Sequence, residues 1–196
     1  MADVLAQMNS DMAAVVERVR RSLVQIGNAR HGVGAGTIWH PDGLLVTNAH
    51  VIRHHAPQVT LADGRTLLAR VLAADAARDL AALSVATGDL LAIARSASWP
   101  PRPGQWVLAL GHPWGVLGAV TAGVVIDVGV PLERPRFQGE LIQTSLHLRP
   151  GHSGSPLVDV HGCLLGINTM MAGPDVGLAV PLPEVTAFLR QALGYA

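Results

Sequence analysis

Ser153 stands in a turn through which a helix cannot continue. The segment 149–157 reads RPGHSGSPL, with Gly151 and Gly154 around the serine. Pro156 follows closely and prevents a helix from forming after the turn. Glycine at 151 permits backbone angles that other residues avoid, so the amides of Gly151 and Ser153 can point into one small hollow. Two such amides are suited to binding the negative oxygen of a tetrahedral intermediate, and we predict an oxyanion hole at Gly151 and Ser153.

A serine hydroxyl needs a base to take its proton, and the chain carries a histidine and a carboxylate upstream. His50 follows the apolar run 43–47, and Asp79 directly precedes the apolar run 80–85. Histidine changes charge near neutral pH, and a carboxylate behind it fixes its tautomer. We predict His50 as base, Asp79 as orienting acid and Ser153 as nucleophile. Asp75 is a rival carboxylate, but no apolar run follows it directly.

The rest of the chain has the pattern of an all-β protein. Short apolar runs are separated by Gly, Pro, Asp and Asn, and this spacing predicts two sets of six strands, each a small barrel or sandwich. The runs lie at 23–26, 35–39, 44–47, 59–61, 66–71 and 80–85, then at 106–110, 119–127, 141–144, 155–158, 163–168 and 178–180.

Helices are predicted at both ends. Apolar residues from Val4 to Val19 recur at steps of three and four, which predicts a helix over 2–20. Residues 183–193 show a similar pattern. The predicted organisation is an N-terminal helix (1–21), a first β-barrel (22–98), a proline-rich linker (99–104), a second β-barrel (105–182) and a C-terminal helix (183–196).

Composition excludes several classes of function. The formal net charge is zero and the basic residues are scattered, which argues against a nucleic-acid-binding surface. No apolar run approaches the ~20 residues of a membrane span. A single cysteine allows no internal disulfide. The nine histidines show no metal-ligand spacing, so we expect neither metal nor cofactor. The start lacks a signal peptide, which suggests a cytoplasmic protein unless a leader has been removed.

Together these motifs resemble the trypsin-like (chymotrypsin-fold) serine proteases of the HtrA/Deg type. The matching stretches are GAGTI (34–38), LVTNAHV (45–51), DLAAL (79–83), GHPWG (111–115), IQT (142–144), PGHSGSPL (150–157), GIN (166–168) and LAVP (178–181). The resemblance implies two perpendicular six-stranded antiparallel barrels and a serine endopeptidase that works through an acyl-enzyme. It also implies the roles already given to His50, Asp79, Ser153 and the amide of Gly151. The family's PDZ domain has no counterpart in this sequence, so we do not expect its peptide-activated regulation.

Five positions depart from the family pattern. His152 and Ser155 replace Asn and Gly of the usual Gly-Asn-Ser-Gly-Gly, and Ser145 stands where Asp is frequent. The usual Asn-Pro-Phe-Gly is here His-Pro-Trp-Gly, beginning at His112. Ser155 would be strained if its position demanded a positive φ.

The predicted pocket for the side chain before the scissile bond is apolar. It lies between the segments 145–150 and 167–172, which contain no carboxylate. We therefore expect cleavage after small or medium aliphatic residues rather than after Lys or Arg. The residues assigned to this pocket are Leu146, His147, Leu148, Ile167, Asn168 and Met170.

Two alternatives stay open on the sequence. An α/β-hydrolase esterase is one, because the serine turn is close to its nucleophile motif, although that fold needs a helix after the serine. The other is a catalytically impaired protease-like module that binds peptides. The expected partners are polypeptide substrates, and the apolar N-terminal helix could pack on its own barrel or on a neighbour in a homo-oligomer.

Overall fold

Two closed barrels of antiparallel strands form the protein. The computed structural model describes residues 2–28, 32–52, 57–130 and 139–194. The first barrel is built from β1 (Leu23–Asn28), β2 (Gly32–His40), β3 (Leu44–Thr47), β4 (Gln58–Thr60), β5 (Thr66–Asp75) and β6 (Leu80–Val85). The second is built from β7 (Trp106–Gly111), β8 (Ala119–Gly129), β9 (Leu141–Thr144), β10 (Pro156–Asp159), β11 (Leu164–Met171) and β12 (Gly177–Pro181).

The strands follow one another around both barrels in the same order. The first closes in the order β1-β2-β3-β6-β5-β4 and the second in the order β10-β11-β12-β9-β8-β7. Every pairing between these strands is antiparallel, so no pair requires a helical crossover. The prediction of an all-β protein with two six-stranded barrels is confirmed. The esterase alternative is wrong, because the serine turn leads into strand β10 instead of a helix.

Three groups of buried apolar side chains hold the fold together. One fills the first barrel, around Ile26, Leu45 and Leu83. Another fills the second barrel, around Ile142 and Leu157. The third and largest joins the two barrels and both helices, and it contains Val46, Leu80, Leu110, Leu164, Ile167 and Phe188 among others. The interface between the barrels therefore has an apolar core of its own, which fixes their relative position.

Both predicted helices are present. Helix α1 (Ala2–Arg20) buries Val15, Val16 and Val19, whereas Val4 and Met8 near its start are exposed. The apolar stripe thus packs on this chain only in its second half. Helix α2 (Leu182–Leu193) buries Val185, Phe188 and Leu189, and Gly194 ends it with a φ of +67°. Neither of these helices combines the length and apolar character that crossing a membrane would require, as far as the described residues go.

The connection between the barrels is bonded to both of them. Residues 86–105 contain no named strand, and the amides of Leu90 and Ile93 donate to carbonyls of Pro41 and Ile38 in the first barrel. Leu164 of the second barrel donates to the carbonyl of Ala94. The proline-rich stretch 99–104 lies at the end of this connection. The proposed domain boundaries themselves stay predictions.

The inter-barrel core yields a matched test of stability. Leu164 is fully buried between the barrels, whereas Leu68 on β5 is 71% exposed. We expect Leu164→Ala to lower the free energy of unfolding by about 2–5 kcal/mol, because it leaves a cavity. Leu68→Ala should change it by no more than about 0.5 kcal/mol. Urea denaturation followed by tryptophan fluorescence measures both, and equal losses would contradict the described core.

Candidate active site

The turn between β5 and β6 presents the carboxylate of Asp79 at the inter-barrel cleft. Asp79 directly precedes β6, is 7% exposed and has a φ of +51°. The Asn48 side-chain amide donates to its carbonyl at 2.9 Å, which supports this strained conformation. Asp75 serves the same turn differently: its Oδ1 accepts the amides of Ala77 and Arg78. Of the two candidate carboxylates, Asp75 therefore bonds within the turn and Asp79 is the one beside the histidine.

Asp79 holds His50 through two contacts. Its Oδ1 accepts the His50 backbone amide at 3.0 Å, and its Oδ2 lies 2.8 Å from the His50 ring Nδ1. The ring belongs to a short 3₁₀ helix, Ala49–Ile52, at the end of β3. Because Nδ1 donates to the carboxylate, the neutral ring keeps Nε2 free of a proton and able to accept one.

The hydrogen bonds around Asp79 keep it ionised. Burial alone would raise the pKa of this carboxyl, but hydrogen bonds from His50 and from Thr169 outweigh it and hold the pKa below its ordinary value. An ionised carboxylate at this position would stabilise the imidazolium that forms when His50 takes up a proton.

Thr169 links the serine to the carboxylate, and the sequence analysis did not identify it. Its Oγ1 donates to Asp79 Oδ2 at 2.6 Å, and its carbonyl accepts the hydroxyl of Ser153 at 2.9 Å. The register of β11 against β12 shifts between Asn168 and Met170, so Thr169 is the extra residue of a β-bulge. A bulge turns a residue away from the regular ladder, and here it turns Thr169 toward the site. In the sequence, Thr169 is marked only by its position directly after GIN (166–168), one of the stretches that resemble the HtrA/Deg family.

The turn that carries Ser153 is docked on both barrels. The amide of Ala35 on β2 donates to the Ser153 carbonyl at 2.8 Å, and Thr37 Oγ1 approaches the Gly154 carbonyl at 3.3 Å. From the other side, the amide of Gly154 donates to the carbonyl of Asn168 at 2.9 Å. The serine turn of the second barrel is thereby held against the first barrel, to which His50 belongs.

Two amides at this turn make no hydrogen bond to any described residue. They are the N–H groups of Gly151 and Ser153. Gly151 has a φ of +105°, which favours glycine, and its carbonyl accepts the amide of His112 instead. These are the two amides that the sequence assigned to the oxyanion hole.

Similarity to known proteins identifies the family. A family profile described as "Trypsin-like peptidase domain" matches residues 34–167. The chain belongs to this family. It is also 36% identical over 164 residues to "Putative serine protease HhoB" of a Synechocystis strain, an alignment that covers 80% of this chain and 38% of that protein. "Serine protease HTRA2, mitochondrial" of Drosophila erecta and of Drosophila sechellia is 34% identical over 165 residues, or 81% of this chain and 39% of each relative.

These comparisons bear on the length of the chain as well as on its family. The chain spans about two-fifths of the length of the curated relatives it matches. The matched region of the trypsin-like domain includes His50, Asp79 and Ser153, and it ends inside strand β11.

Ser155, one of the departures from the family pattern, fits its place in the trypsin-like domain without strain. The positive φ of the turn falls on Gly154, at +84°, and Ser155 is not among the residues with positive φ. Ser155 is fully buried, and its Oγ accepts the side-chain amide of Asn168 at 3.1 Å. The predicted source of strain at Ser155 is therefore absent.

The residues assigned to the substrate pocket differ in their surroundings. Leu146 and Ile167 are fully buried in the apolar core, and the side chain of Asn168 is bonded to Ser155. Leu148 lies against Gly177, and its amide donates to the sulfur of Met171 at 3.2 Å. His147 is half-exposed, with Nδ1 3.7 Å from Asp175 Oδ1, and Met170 is half-buried.

Two glycines with nearly equal φ angles, Gly154 and Gly64, test the docking of the serine turn. A Cβ at Gly154 would overlap the Ala35 carbonyl oxygen and the Thr47 hydroxyl, whereas one at Gly64 (φ +88°) would meet nothing within 4 Å. Gly64→Ala should cost about 1–2 kcal/mol of stability from the left-handed backbone alone. Gly154→Ala should cost clearly more and abolish reaction of the serine, as chemical denaturation and an activity assay would measure. Equal effects of the two substitutions would contradict the described docking.

Proposed function

We propose that this chain is a serine endopeptidase that uses His50 as base, Asp79 as its orienting carboxylate and Ser153 as nucleophile. One observation carries the proposal: an unbroken series of hydrogen bonds, each between 2.6 and 2.9 Å, joins Ser153 to Thr169, Thr169 to Asp79, and Asp79 to His50. Membership of the trypsin-like peptidase domain family and the names of the relatives support the same reaction.

The proposed reaction begins with a rotation of the serine side chain. In the resting structure the Ser153 hydroxyl donates to the Thr169 carbonyl. When the side chain turns, the hydroxyl donates to His50 Nε2 instead of to the Thr169 carbonyl. The Ser153 Oγ then attacks the carbonyl carbon of a peptide bond. The proton passes to Nε2 as the bond between Oγ and carbon forms. Asp79, held ionised by its hydrogen bonds, stabilises the resulting imidazolium.

The remaining steps follow from the same groups. The negative oxygen of the tetrahedral intermediate binds the free amides of Gly151 and Ser153. His50 then gives its proton to the leaving amine, and the bond between carbon and nitrogen breaks to leave an ester at Ser153. A water molecule loses a proton to His50, attacks this ester and releases the acid, which restores the serine hydroxyl.

Labelling with a fluorophosphonate tests the nucleophile. We expect one label per folded chain at Ser153, detected by peptide mass spectrometry, and no label in Ser153→Ala. Ser98→Ala is the matched control, because Ser98 is exposed and its hydroxyl makes no hydrogen bond among the described residues. Folded wild-type protein that takes up no label would instead favour the catalytically impaired, peptide-binding alternative.

We also propose that the enzyme cleaves after small or medium aliphatic residues. Leu148, Met170 and Met171 offer an apolar wall beside the serine turn, and Leu146, Ile167 and Asn168 support that wall from the core. His147, already near Asp175, would stand at the outer edge of the pocket. None of the residues assigned to the pocket carries a carboxylate, and Asp175, 3.7 Å from the outer residue His147, has an exposed side chain.

A peptide library with varied residues before the scissile bond tests this specificity. We expect the kcat/KM of peptides with Val, Ala or Leu there to exceed that of peptides with Arg or Lys at least about tenfold, since an unpaired charge would be buried in an apolar pocket. His147→Ala should leave this ranking unchanged. A preference for Arg or Lys would contradict the pocket without affecting the assignment of the nucleophile.

A further inference from the structure

Two buried histidines lie beneath the serine turn, and the proposed mechanism has no role for them. His112 follows strand β7 and is 6% exposed, and His152 lies within the turn and is 3% exposed. Both stand where the HtrA/Deg pattern usually has asparagine. Among the described residues, neither ring finds a partner for its buried Nε2. Unpartnered polar atoms at this depth are uncommon and call for a specific explanation.

The segments that carry the two histidines are packed against each other without free space. The amide of His112 donates to the Gly151 carbonyl at 2.9 Å. A Cβ at Gly151 would overlap the carbonyl of His112, and one at Gly111 would lie 3.0 Å from the His152 ring carbon Cδ2. The orientation of the Gly151 peptide therefore depends directly on the positions of both histidines.

The hydrogen bonds of the two rings suit the neutral form. His112 Nδ1 accepts the amide of Gly118 at 3.2 Å, so the single proton of the neutral ring is on Nε2. His152 Nδ1 lies 3.2 Å from the amide nitrogen of Arg149 and 3.1 Å from its carbonyl oxygen. A second proton on His112 would point at the Gly118 N–H and break that bond. A doubly protonated His152 ring would place a charge in a buried ring whose Nε2 has no partner among the described residues.

The charged groups around the rings also oppose protonation. A charge on His152 would act on His112, and the positive Arg149, whose guanidinium lies 4.7 Å from the centre of the Trp114 ring, acts on His152. Arg20 of helix α1 donates to the carbonyl of Gly118, whose amide bonds to His112 Nδ1, and its own partner Glu17 is exposed. No carboxylate influences either ring among the described residues.

These surroundings set the direction of both ionisations. Burial lowers the pKa of His112, against the Val24 carbonyl that favours the charged ring, and His152 lowers it further. Burial likewise lowers the pKa of His152, with the Arg149 carbonyl opposing and the Arg149 charge adding to the effect. A histidine with a lowered folded pKa stabilises the fold above its unfolded pKa of about 6.5, and this stabilisation is lost as the pH falls toward the folded pKa.

We propose that His112 and His152 are paired positioning residues, which hold the Gly151 amide ready to bind the oxyanion only while both rings are uncharged. The inference rests on the proposed function, because it takes the amides of Gly151 and Ser153 as the oxyanion hole. Acid would then stop the reaction in two ways: by protonating the base His50, and by disturbing the turn through this pair.

The pH dependence of kcat separates the two effects. Protonation of one base gives a slope of one in log kcat against pH on the acid side. We expect wild-type protein to exceed a slope of one below pH 6.5 while its tryptophan fluorescence remains native. His112→Asn/His152→Asn, which has no ionising group at either position, should show a slope of one. His161→Asn, at an exposed position, should behave as wild type.

A second pair of variants tests positioning at pH 8, where the histidines are neutral. We expect His152→Ala to lower kcat at least about tenfold with little change in KM, as partial loss of an oxyanion donor would. His152→Asn should recover much of that loss, because its amide can bond to Arg149. An Ala variant with wild-type kcat would overturn the inference.

Thermal unfolding tests the pair without relying on activity. In a Ser153→Ala background, the melting temperature should fall more between pH 8 and pH 5.5 with both histidines present than with both replaced by Asn. Equal shifts, or equal acid slopes of kcat, would overturn the inference. If the melting temperatures shift as expected but wild-type protein takes no label at Ser153, the ionising pair is supported and the proposed function is refuted.

Discussion

The hydrogen bond from the Ala35 amide to the Ser153 carbonyl, 2.8 Å long, joins the serine turn of the second barrel to strand β2 of the first. Gly154 makes the approach possible, because only a residue without a side chain fits against Ala35 with a positive φ. The apolar core between the barrels keeps the two surfaces in register. Since His50 and Asp79 belong to the first barrel and Ser153 to the second, every proposed step of catalysis depends on this contact.

The proposed chemistry requires a charged Asp79 and neutral rings at His112 and His152. Asp79 is buried, yet three hydrogen bonds from His50 and Thr169 hold its pKa low, so it can balance a charge on His50. Burial of His112 and His152 outweighs the carbonyls of Val24 and Arg149, which favour the charged rings, and so lowers both pKa values. Burial disfavours the charged form of Asp79 and of both histidines alike. The number and strength of the hydrogen bonds to each group decide whether it is charged or neutral.

Much of this arrangement could be predicted from the sequence because it is encoded locally. Short apolar runs separated by turn residues predicted the strands, and the order of three short motifs pointed to His50, Asp79 and Ser153. The contribution of Thr169 could not be predicted, because it arises from a register shift between β11 and β12 that depends on pairing. The pocket assignment was limited because apolar character does not reveal how deeply each residue of a strand is buried. Residues 164–169 of β11 are all buried, so Ile167 lies in the core, whereas Met170 and Met171 at the end of the strand are half-buried. The exposure of the first half of α1 could not be predicted either, because an apolar stripe on a helix does not reveal which residues pack against it.

A crystal structure of the protein after reaction with a peptidyl phosphonate would show whether the three side chains meet at one reacting group. We expect a bond between phosphorus and the Ser153 oxygen, with the phosphonyl oxygen bound by the amides of Gly151 and Ser153 and the His50 ring beside the serine oxygen. Asp79 and Thr169 should keep their contacts. An adduct on another residue, or a His50 ring turned away from the modified serine and unable to reach it, would contradict the account.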